Sequence, residues 1–503
     1  MRDRVCRLVC CVPLVSLALA SLAPAQRVLE VPKQYPTIQA AIDAASDQDT
    51  VLVAPGRYVE TIDYKHKSIT VRSSMGPLVT TIDGNQAVQP VVHNLAWTSS
   101  RSSVLEGFTI TNGGQGGIRA DAMAVIRNNI ITRNYNPIDA GGIRADDSVE
   151  ILANVITLNV GARGGGIGWY GSRNLLKVKD NYIADNYSVS HGGGILTEGN
   201  GDVVNNVIVR NTAQTGGGIG NPGFNAPTLN IAGNLIRDNA AMQDGGGIAA
   251  QLTTVFLDSN TIGKNMTAGH GGGLYLAAAT VAGRNNILWE NTARYKWGAE
   301  AWVGDDALGG SKLSLAFSVV KGALTSIVVG SKSTLDWGPV MASVDPQFVD
   351  LVGGDLHLRA DSPYIDKGDG SAVVIPTDFE GDPRIVGLNV DIGADEFHPH
   401  LYVFGRAAPA TTFAVKFIGP PSAPVVWGVS GNPLPRTPPI PIPGVGTFQL
   451  ADPFSILALG ALPASGSLAV PITLPASFPA PLPVPMQALI GTKLSNLEIA
   501  SIR

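Results

Sequence analysis

Six positions of the sequence, each directly before an Ala-Gly-Gly or Gly-Gly-Gly group, hold side chains that include acid, base and cation types. In chain order they are Asp139, Arg163, His191, Thr215, Asp244 and His270. A histidine beside an aspartate can act as a general base, and an arginine can hold a carboxylate. We therefore treat Arg163, His191, Asp244 and His270 as candidate catalytic residues and Asp139 as a candidate substrate-binding residue. The alternative is a solvated row of mixed charge.

A second row lies three residues after the apolar residue that follows each glycine group. It comprises Asp121, Asp146, Tyr170, Glu198, Pro222, Gln251 and Ala277. Calcium takes several carboxylate oxygens, so Asp121, Asp146 and Glu198 are candidate ligands for Ca²⁺. Nothing matches an EF-hand loop or a calcium-binding nonapeptide. The sequence thus requires no cofactor and leaves a calcium ion as an option.

Two insertions after glycine triplets carry aromatic residues. The first contains Trp169, Tyr170 and Arg173, and the second contains Phe224. Exposed rings at these places would suit contact with a substrate, so all four residues are candidate substrate-binding residues. The alternative is that the rings pack down over the edge of the underlying structure.

The elements that must position these residues are repeats. The hexad N-x-[IL]-x-x-N occurs seven times, with first asparagines 25 to 28 residues apart, and a Gly-Gly-Ile or Gly-Gly-Gly-[IL] group lies before each one. The hexads are Asn129–Asn134, Asn154–Asn159, Asn181–Asn186, Asn206–Asn211, Asn234–Asn239, Asn260–Asn265 and Asn286–Asn291. Such periodicity predicts a repeat architecture.

Short β-prone pieces between glycines and asparagines predict a parallel β-helix, because no piece is long enough for a crossover helix. Stacked coils lie about 4.8 Å apart, so equivalent residues form columns. We expect the isoleucines to form a buried stack and the asparagines to form ladders between coils. The glycines are expected where the chain turns through positive φ.

Apolar residues at 38, 41, 42 and 45 predict a short amphipathic helix that covers the first coil. The segment YPTIQAAIDAASDQDTVLVAPGRYVE and residues 102–113 resemble the opening of secreted, pectin-lyase-like right-handed β-helix proteins. Residues 345–368 and 378–397 resemble the closing segment of bacterial surface proteins with this fold. The repeat is also similar, over a shorter stretch, to the passengers of autotransporters. The acidic residues of the closing segment are expected to bind turn amides at the last coil.

The predicted fold is therefore all-β, a right-handed parallel β-helix with a capping helix and a small β-rich, sandwich-like domain. The expected divisions are a signal peptide at 1–25, the solenoid at 26–398 and an accessory domain at 399–503. Residues 1–25 have a basic start, an apolar run and an Ala-Pro-Ala exit, which predicts export with cleavage. Residues 401–503 hold 18 of the 34 prolines, and a Pro-rich extension without a core is the alternative there.

The composition limits the partners of the chain. All three cysteines lie within residues 1–25, so the mature fold is expected to hold without disulfides. Without that segment the chain has 32 basic and 39 acidic residues, and no basic stripe suggests nucleic acid. No stretch of the mature sequence predicts a transmembrane helix. A secreted or cell-surface monomer is expected.

The resemblance implies a polysaccharide-facing protein, and the residues leave its activity open. No Walker loop, H-E-x-x-H or G-x-S-x-G motif is present, and the G-x-G-x-x-G matches are by-products of the glycine turns. We expect binding of an extracellular or envelope polysaccharide, or another surface, through one flank. The alternatives are a lyase or hydrolase acting on uronate glycans, with a lyase favoured among enzymes, and an autotransporter-like adhesin.

Overall fold

The computed structural model describes residues 26–397, except 96–102, 122, 172–174, 225, 295–296, 306, 308, 373–374 and 387. Beyond residue 399 it describes the strands given below and Leu462. The expected signal peptide at 1–25 lies outside the described residues.

Residues 28–337 form four parallel sheets that a single chain visits in turn, so the predicted parallel β-helix is confirmed. One coil runs through Glu150–Leu152 in sheet A, Val155–Thr157 in sheet B, Val160–Gly161 in sheet D and Ile167–Trp169 in sheet C. Each strand then pairs in parallel with its equivalent in the next coil, as Ile156 does with Ile183. Sheets B and C each have 11 strands, which gives about eleven coils.

Sheets A and B form two of the walls around the core, with 13 and 11 strands. Sheet A comprises Val28–Val31, Thr50–Val53, Thr70–Ser73, Ser103–Glu106, Ala124–Arg127, Glu150–Leu152, Leu176–Lys179, Gly201–Val204, Thr228–Ala232, Thr254–Asp258, Thr280–Arg284, Lys312–Ala316 and Thr334–Trp337. Sheet B comprises Gly56–Val59, Thr80–Asp83, Thr109–Thr111, Ile130–Thr132, Val155–Thr157, Tyr182–Ala184, Val207–Val209, Leu235–Arg237, Thr261–Gly263, Ile287–Trp289 and Val319–Val320.

Sheets C and D complete each coil and carry the glycine turns between them. Sheet C comprises Ile62–Asp63, Val92–Leu95, Ile118–Ala120, Ile143–Ala145, Ile167–Trp169, Ile195–Thr197, Ile219–Asn221, Ile248–Gln251, Leu274–Ala277, Ala301–Gly304 and Ile327–Val329. Sheet D comprises Tyr135–Asn136, Val160–Gly161, Tyr187–Ser188, Thr212–Ala213, Ala240–Ala241, Met266–Thr267 and Thr292–Ala293.

The asparagines of the hexads form two ladders inside the solenoid, as the sequence predicts. Asn206 is fully buried. Its Oδ1 accepts from the backbone and side-chain amides of Asn181, and its Nδ2 donates to Val178 O and to Asn234 Oδ1. The same pattern runs from Asn129 to Asn286 and from Asn134 to Asn291. Each ladder thus supplies partners for backbone groups that the turns leave without strand pairing.

The third residues of the hexads form the expected aliphatic stack between these ladders. All seven are fully buried: Ile131, Ile156, Ile183, Ile208, Ile236, Ile262 and Leu288. Every coil with a hexad adds one aliphatic side chain to this stack. The core is therefore continuous from coil to coil, although the sequence has few aromatic residues.

The glycine triplets are required for two different reasons. The first glycine has positive φ, for example 65° at Gly192, a conformation that costs non-glycine residues energy. The second and third have no room for a side chain, because a Cβ on Gly193 would lie 2.4 Å from the carbonyl oxygen of Gly217. The expectation of positive φ therefore holds for the first glycine, whereas the others permit close approach between coils.

Glu300 ends one asparagine ladder. It occupies the place of the third glycine in the sequence Gly298-Ala299-Glu300-Ala301, and its carboxylate accepts a 2.5 Å hydrogen bond from Nδ2 of Asn291. Glu300 is 2% exposed, and this burial raises its pKa to about 8. In the unfolded chain a glutamate titrates near 4.5. The folded protein thus holds a proton on Glu300 across the neutral range.

A seven-residue helix, Ile38–Ala44, lies where the sequence predicts one. Thr37 caps it by accepting from the amide of Ala40 at 3.1 Å. Ile38 and Ile42 are fully buried in the solenoid core. Its role as a cap of the first coil remains a prediction. Among the described residues, no helix is long and apolar enough to span a membrane.

The closing segment follows a different path from the one expected. It forms the antiparallel strands Phe348–Asp350 and Asp355–Leu358, with 3-10 turns at Ala323–Ser326 before them and at Gly370–Ala372 after them. It runs back along sheet B rather than over the last coil, and its apolar side chains pack against that sheet. The residues in this contact are Phe348, Leu356, Leu358, Tyr364 and Ile392, against Leu235, Ile287, Trp289 and Val319.

The described strands beyond residue 399 are antiparallel, as expected for a small β-rich domain. One sheet contains His400–Phe404, Thr412–Ile418 and Ser467–Thr473, a second contains Phe454–Ala461, Pro424–Ser430, Leu482–Ile490, Lys493–Leu494 and Glu498–Ile502, and a hairpin joins Ile440–Ile442 to Gly446–Phe448. Phe417 and Trp427, on different sheets, make an edge-to-face contact at 5.7 Å. The two sheets therefore share buried aromatic packing.

Asn206→Ala should destabilise the solenoid by about 3 kcal/mol, because it leaves several buried backbone and amide groups without partners. The measurement is urea denaturation followed by circular dichroism. Asn200→Ala is the control, since Asn200 is exposed and accepts from the Thr228 amide alone among the contacts observed. Equal effects of the two substitutions would contradict the ladder's role.

Glu300→Gln should reduce the loss of stability between pH 5 and pH 8. Native Glu300 keeps a proton that the unfolded chain releases above about 4.5, so stability falls as the pH rises towards about 8. Glutamine keeps the neutral form throughout. Part of the fall should persist, because burial also raises the pKa of Asp391 to about 7 and that of Glu396 to about 8. The urea midpoint at each pH measures this, with Glu106→Gln as the control; an unchanged slope in Glu300→Gln would refute it.

Candidate functional site

The outer side of sheet C, together with the turns that enter it, forms one face that we call the flank. Middle residues of its strands point outward and align between coils, as Arg119 does with Arg144 and Tyr275 does with Trp302. The parallel register keeps these side chains in one column. Most of the residues singled out by type and spacing lie on this flank.

Arg144 and Arg163 both lie against the ring of Tyr170. Their guanidinium carbons lie 4.8 Å and 5.3 Å from the centre of the tyrosine ring, within cation–π range. The Tyr170 hydroxyl donates to the carbonyl oxygen of Arg163 at 2.8 Å, and burial raises its pKa well above the usual value. Tyr170 thus fixes the two cations on neighbouring coils.

Arg163 also pairs with the carboxylate of Glu198 and lies 5.9 Å from the ring of Phe224, which is 52% exposed. Burial raises the pKa of Glu198, and Arg163 opposes that rise. Arg163, Tyr170, Glu198 and Phe224 therefore form a connected group at the protruding loops, as the loop insertions suggested.

Asp139 lies in the turn that precedes the strand Ile143–Ala145, where its carboxylate pairs with Arg144. Beside this pair is a depression of about 230 Å³ lined also by Gln115, Arg119 and Asn136. Its walls supply amide and guanidinium donors together with one carboxylate, a composition suited to hydroxyl-rich ligands.

His191 lies next to the arginine group but does not meet an aspartate. Its Nδ1 is 2.6 Å from Ser190 Oγ. Burial lowers the pKa of His191, and the positive charge of Arg163 lowers it further. A neutral imidazole at neutral pH is the state that can accept a proton.

Asp244 and His270 form the Asp–His pair expected from their neighbouring coils. Asp244 Oδ1 lies 2.9 Å from His270 Nδ1 and accepts from the His270 amide at 2.9 Å. The carboxylate thereby fixes the ring, and the other ring nitrogen, Nε2, is left for a ligand. Thr215 stands between this pair and His191 in the column, so the predicted catalytic residues divide into two groups.

Three aromatic side chains around His270 were missed by sequence reasoning. The rings of Tyr275 and Trp302 are parallel within 4° at 5.1 Å, and His270 lies 4.9 Å from Trp302 and 5.3 Å from Trp297. We call these four residues the aromatic platform. Trp297 is 56% exposed, and Tyr275 and Trp302 are partly exposed. Tyr275 and Trp302 occupy the same column as Arg119 and Arg144. An alignment of the repeats at that column would have identified them.

Two of the predicted contact residues have other outcomes. Trp169 is fully buried in the solenoid core, so of the two alternatives for its ring, the structure shows packing rather than exposure. The reason is that Trp169 ends a strand of sheet C with its side chain inward, in register with Ala145 and Thr197. Arg173 lies outside the described residues.

Each carboxylate of the predicted calcium site is engaged by an arginine. Asp121 contacts Arg119 at 3.0 Å, Asp146 contacts Arg144 at 3.0 Å, and Glu198 pairs with Arg163. A calcium ion would have to displace these cations. Binding of calcium here remains a prediction.

The sheet pairing defines the chain as a parallel β-helix protein. No protein-family model matches the sequence, and no curated protein does. Among solved structures, the chain is similar to the enzymatically active domain of tailspike protein 4 of bacteriophage CBA120, with 12% identity, 92% of this chain covered and a TM-score of 0.28. The tailspike protein of Acinetobacter phage vB_ApiP_P1 matches with 9% identity, 94% coverage and a TM-score of 0.21.

The chain spans 65% of the length of the first tailspike structure and 88% of the second. These TM-scores are too low for the tailspikes' activity to bear on this chain. The sheet pairing above establishes the fold independently of them.

Arg163→Gln should raise the pKa of His191 towards its ordinary value, because it removes the one nearby charge that disfavours the imidazolium. The remaining burial should keep the pKa somewhat low. Titration of the histidine ring by NMR measures the shift. Arg144→Gln is the control, and an equal shift in both variants would mean that Arg163 does not act on His191 directly.

Proposed function

We propose that the protein is exported and binds an extracellular polysaccharide along its flank. The observation that carries the proposal is the aromatic platform. The apolar faces of sugar rings pack on aromatic rings, and binding sites commonly combine such surfaces with a few polar groups. The rings of Tyr275 and Trp302 stack on each other across successive coils, and the exposed ring of Trp297 adds a further surface beside His270. Aromatic groups thus follow one another along the solenoid axis, as the sugars of a glycan chain would.

The platform is held rigid, which favours binding. The Trp302 ring lies against the backbone of Gly304, where even a Cβ would come within 1.5 Å of it. Asp244 fixes His270 beside it. A surface ordered in advance loses less conformational entropy when a ligand binds.

The rest of the flank supplies polar groups on the same side. The arginine–tyrosine group presents guanidinium donors and the Glu198 carboxylate, and the depression beside Asp139 adds amides. Hydroxyl and carboxylate groups of a glycan match these donors and acceptors. A binding surface that continues over several coils suits a long polymer better than a small molecule.

Trp302→Ala should weaken retention on the polysaccharide ligand by about tenfold, because loss of one aromatic contact costs on the order of 1 kcal/mol or more. Affinity electrophoresis against pectate, alginate, xylan and a bacterial exopolysaccharide measures retention. Phe256→Ala is the matched control, because Phe256 is 48% exposed on sheet A, away from the flank. If the native protein is retained and Trp302→Ala and Tyr275→Ala are retained equally well, the role of the platform is refuted. If the native protein is retained on none of the four polysaccharides, the proposed function is contradicted.

A second candidate function, β-elimination on a uronate glycan, is favoured by the Asp244–His270 pair. His270 Nε2 would take the proton from C5 of the uronate, and the electrons would form the C4–C5 double bond as the C4–O bond to the leaving sugar breaks. Absorbance of the unsaturated product measures the reaction. Activity of the native protein that is lost in His270→Ala would establish the enzyme. Retention of the protein on polysaccharide without formation of product would leave binding as the function.

A further inference from the structure

A cluster of metal-ligating side chains lies outside the flank, in the closing segment. It comprises His357, Glu380 and Asp395, whose ligand atoms all lie within 4.8 Å of one another. Among the described residues this is the one set of three or more histidine, cysteine or carboxylate groups so arranged. Nε2 of His357 lies 3.2 Å from Oε1 of Glu380. Two ligand atoms of a tetrahedral ion with bonds of about 2.0 Å are separated by roughly 3.3 Å.

The imidazole is oriented as in known metal sites. Nδ1 of His357 lies 2.6 Å from Oδ1 of Asp355, which directs Nε2 towards Glu380. Metal-binding histidines usually bond their other ring nitrogen to a carboxylate in this way. The ring also packs against Phe379 at 5.5 Å. Asp395 is 2% exposed, and one of its oxygens accepts from the Leu358 amide at 2.7 Å.

The surroundings are rich in buried carboxyl groups. In the described part of the closing segment, the carboxylates of Asp355, Asp378, Asp391, Asp395 and Glu396 are all buried. The one buried arginine there, Arg384, donates to the carbonyl oxygens of Asp391, Gly393 and Ala394. Backbone amides donate to each of these carboxyl groups, as the Leu358 amide does to Asp395 and the Glu380 and Asp382 amides do to Asp378. A divalent ion at His357 would add direct compensation for the charges of Glu380 and Asp395.

The three ligands belong to three separate parts of the segment. His357 is on the strand Asp355–Leu358, Glu380 is in the turn that Asp378 organises through the amides of Glu380 and Asp382, and Asp395 lies near the end of the segment. An ion bound by all three would close loops of 23 and 38 residues, counted from His357. Cross-links of this kind stabilise a fold by restricting the unfolded chain.

We propose that His357, Glu380 and Asp395 bind a divalent transition cation of the zinc type that ties together the three parts of the closing segment. The nitrogen ligand decides the class of cation, because imidazole suits Zn²⁺ and its neighbours whereas Ca²⁺ and Mg²⁺ prefer oxygen ligands throughout. Glu380 retains 19% exposure of its side chain, so an ion has a route from solvent and a water molecule can complete the coordination. The site is structural, and it is distinct from the flank and from the calcium ligands predicted there.

Titration of the EDTA-treated full chain with Zn²⁺, Ca²⁺ and Mg²⁺ tests the proposal. We expect one tightly bound Zn²⁺ per chain by calorimetry, a rise in the unfolding temperature with Zn²⁺, and no comparable rise with Ca²⁺ or Mg²⁺. Bound Co²⁺ should give visible bands typical of four-coordinate sites. His357→Gln should remove the site, and Glu380→Gln should weaken binding at least a hundredfold while the partly exposed position leaves folding intact. Asp355→Asn should weaken it about 10- to 100-fold.

His270→Ala serves as the matched histidine control and should bind Zn²⁺ as the native chain does. If Zn²⁺ binding survives in Glu380→Gln and His357→Gln, or disappears in His270→Ala instead, the assignment is wrong. A chain that binds no Zn²⁺, or that Ca²⁺ stabilises in its place, overturns the proposal equally. Because retention on polysaccharide depends on the aromatic platform, these results are independent of the proposed function.

Discussion

The hydrogen bonds of the asparagine ladders are the interaction on which the rest of this structure depends. A solenoid with short strands leaves many backbone groups in its corners, where the walls change direction. The side-chain amide supplies a donor and an acceptor at once, so one residue type can bridge the coil before and the coil after it. Asn206 does this with Asn181, Val178 and Asn234. Because the amides are buried, an unmade bond would be expensive, and register is fixed as a result.

Fixed register explains why the flank could be anticipated from the sequence. The columns of Asp139 to His270 and of Asp121 to Glu198 follow from counting within a repeat, and the Asp244–His270 contact was predictable in this way. The structure adds the direction and the length of each side chain, which the spacing of residues does not give. A strand residue points in or out according to its parity, and this parity buries Trp169 and exposes Trp302. Arg163 and Glu198 belong to different columns. Their pairing depends on how far the two side chains extend, and the spacing of the repeats does not show this.

The closing segment shows a second limit of sequence reasoning. Its motifs predicted its presence, but the path along sheet B depends on an apolar patch that sheet B exposes away from the core, formed by Leu235, Ile287, Trp289 and Val319. These residues read as ordinary strand residues in the repeat. Their outward direction becomes visible only when the coil closes. The segment therefore covers a wall of the solenoid, and the acidic residues organise its turns there, as Asp391 does for the amides of Asp366 and Phe397.

The glutamate that replaces the third glycine, Glu300, also bears on where the solenoid can be lengthened. Within a ladder, Nδ2 of each asparagine before the last donates to Oδ1 of the asparagine in the following coil. Each unit of about 26 residues therefore presents the same two faces, and a duplicated unit can be inserted between any two others. Glu300 takes the place of the next asparagine as the acceptor for Nδ2 of Asn291, so this ladder ends there. Duplication of an internal repeat can therefore lengthen the flank while the last coil keeps its structure. The number of coils can change without any change at either end of the solenoid.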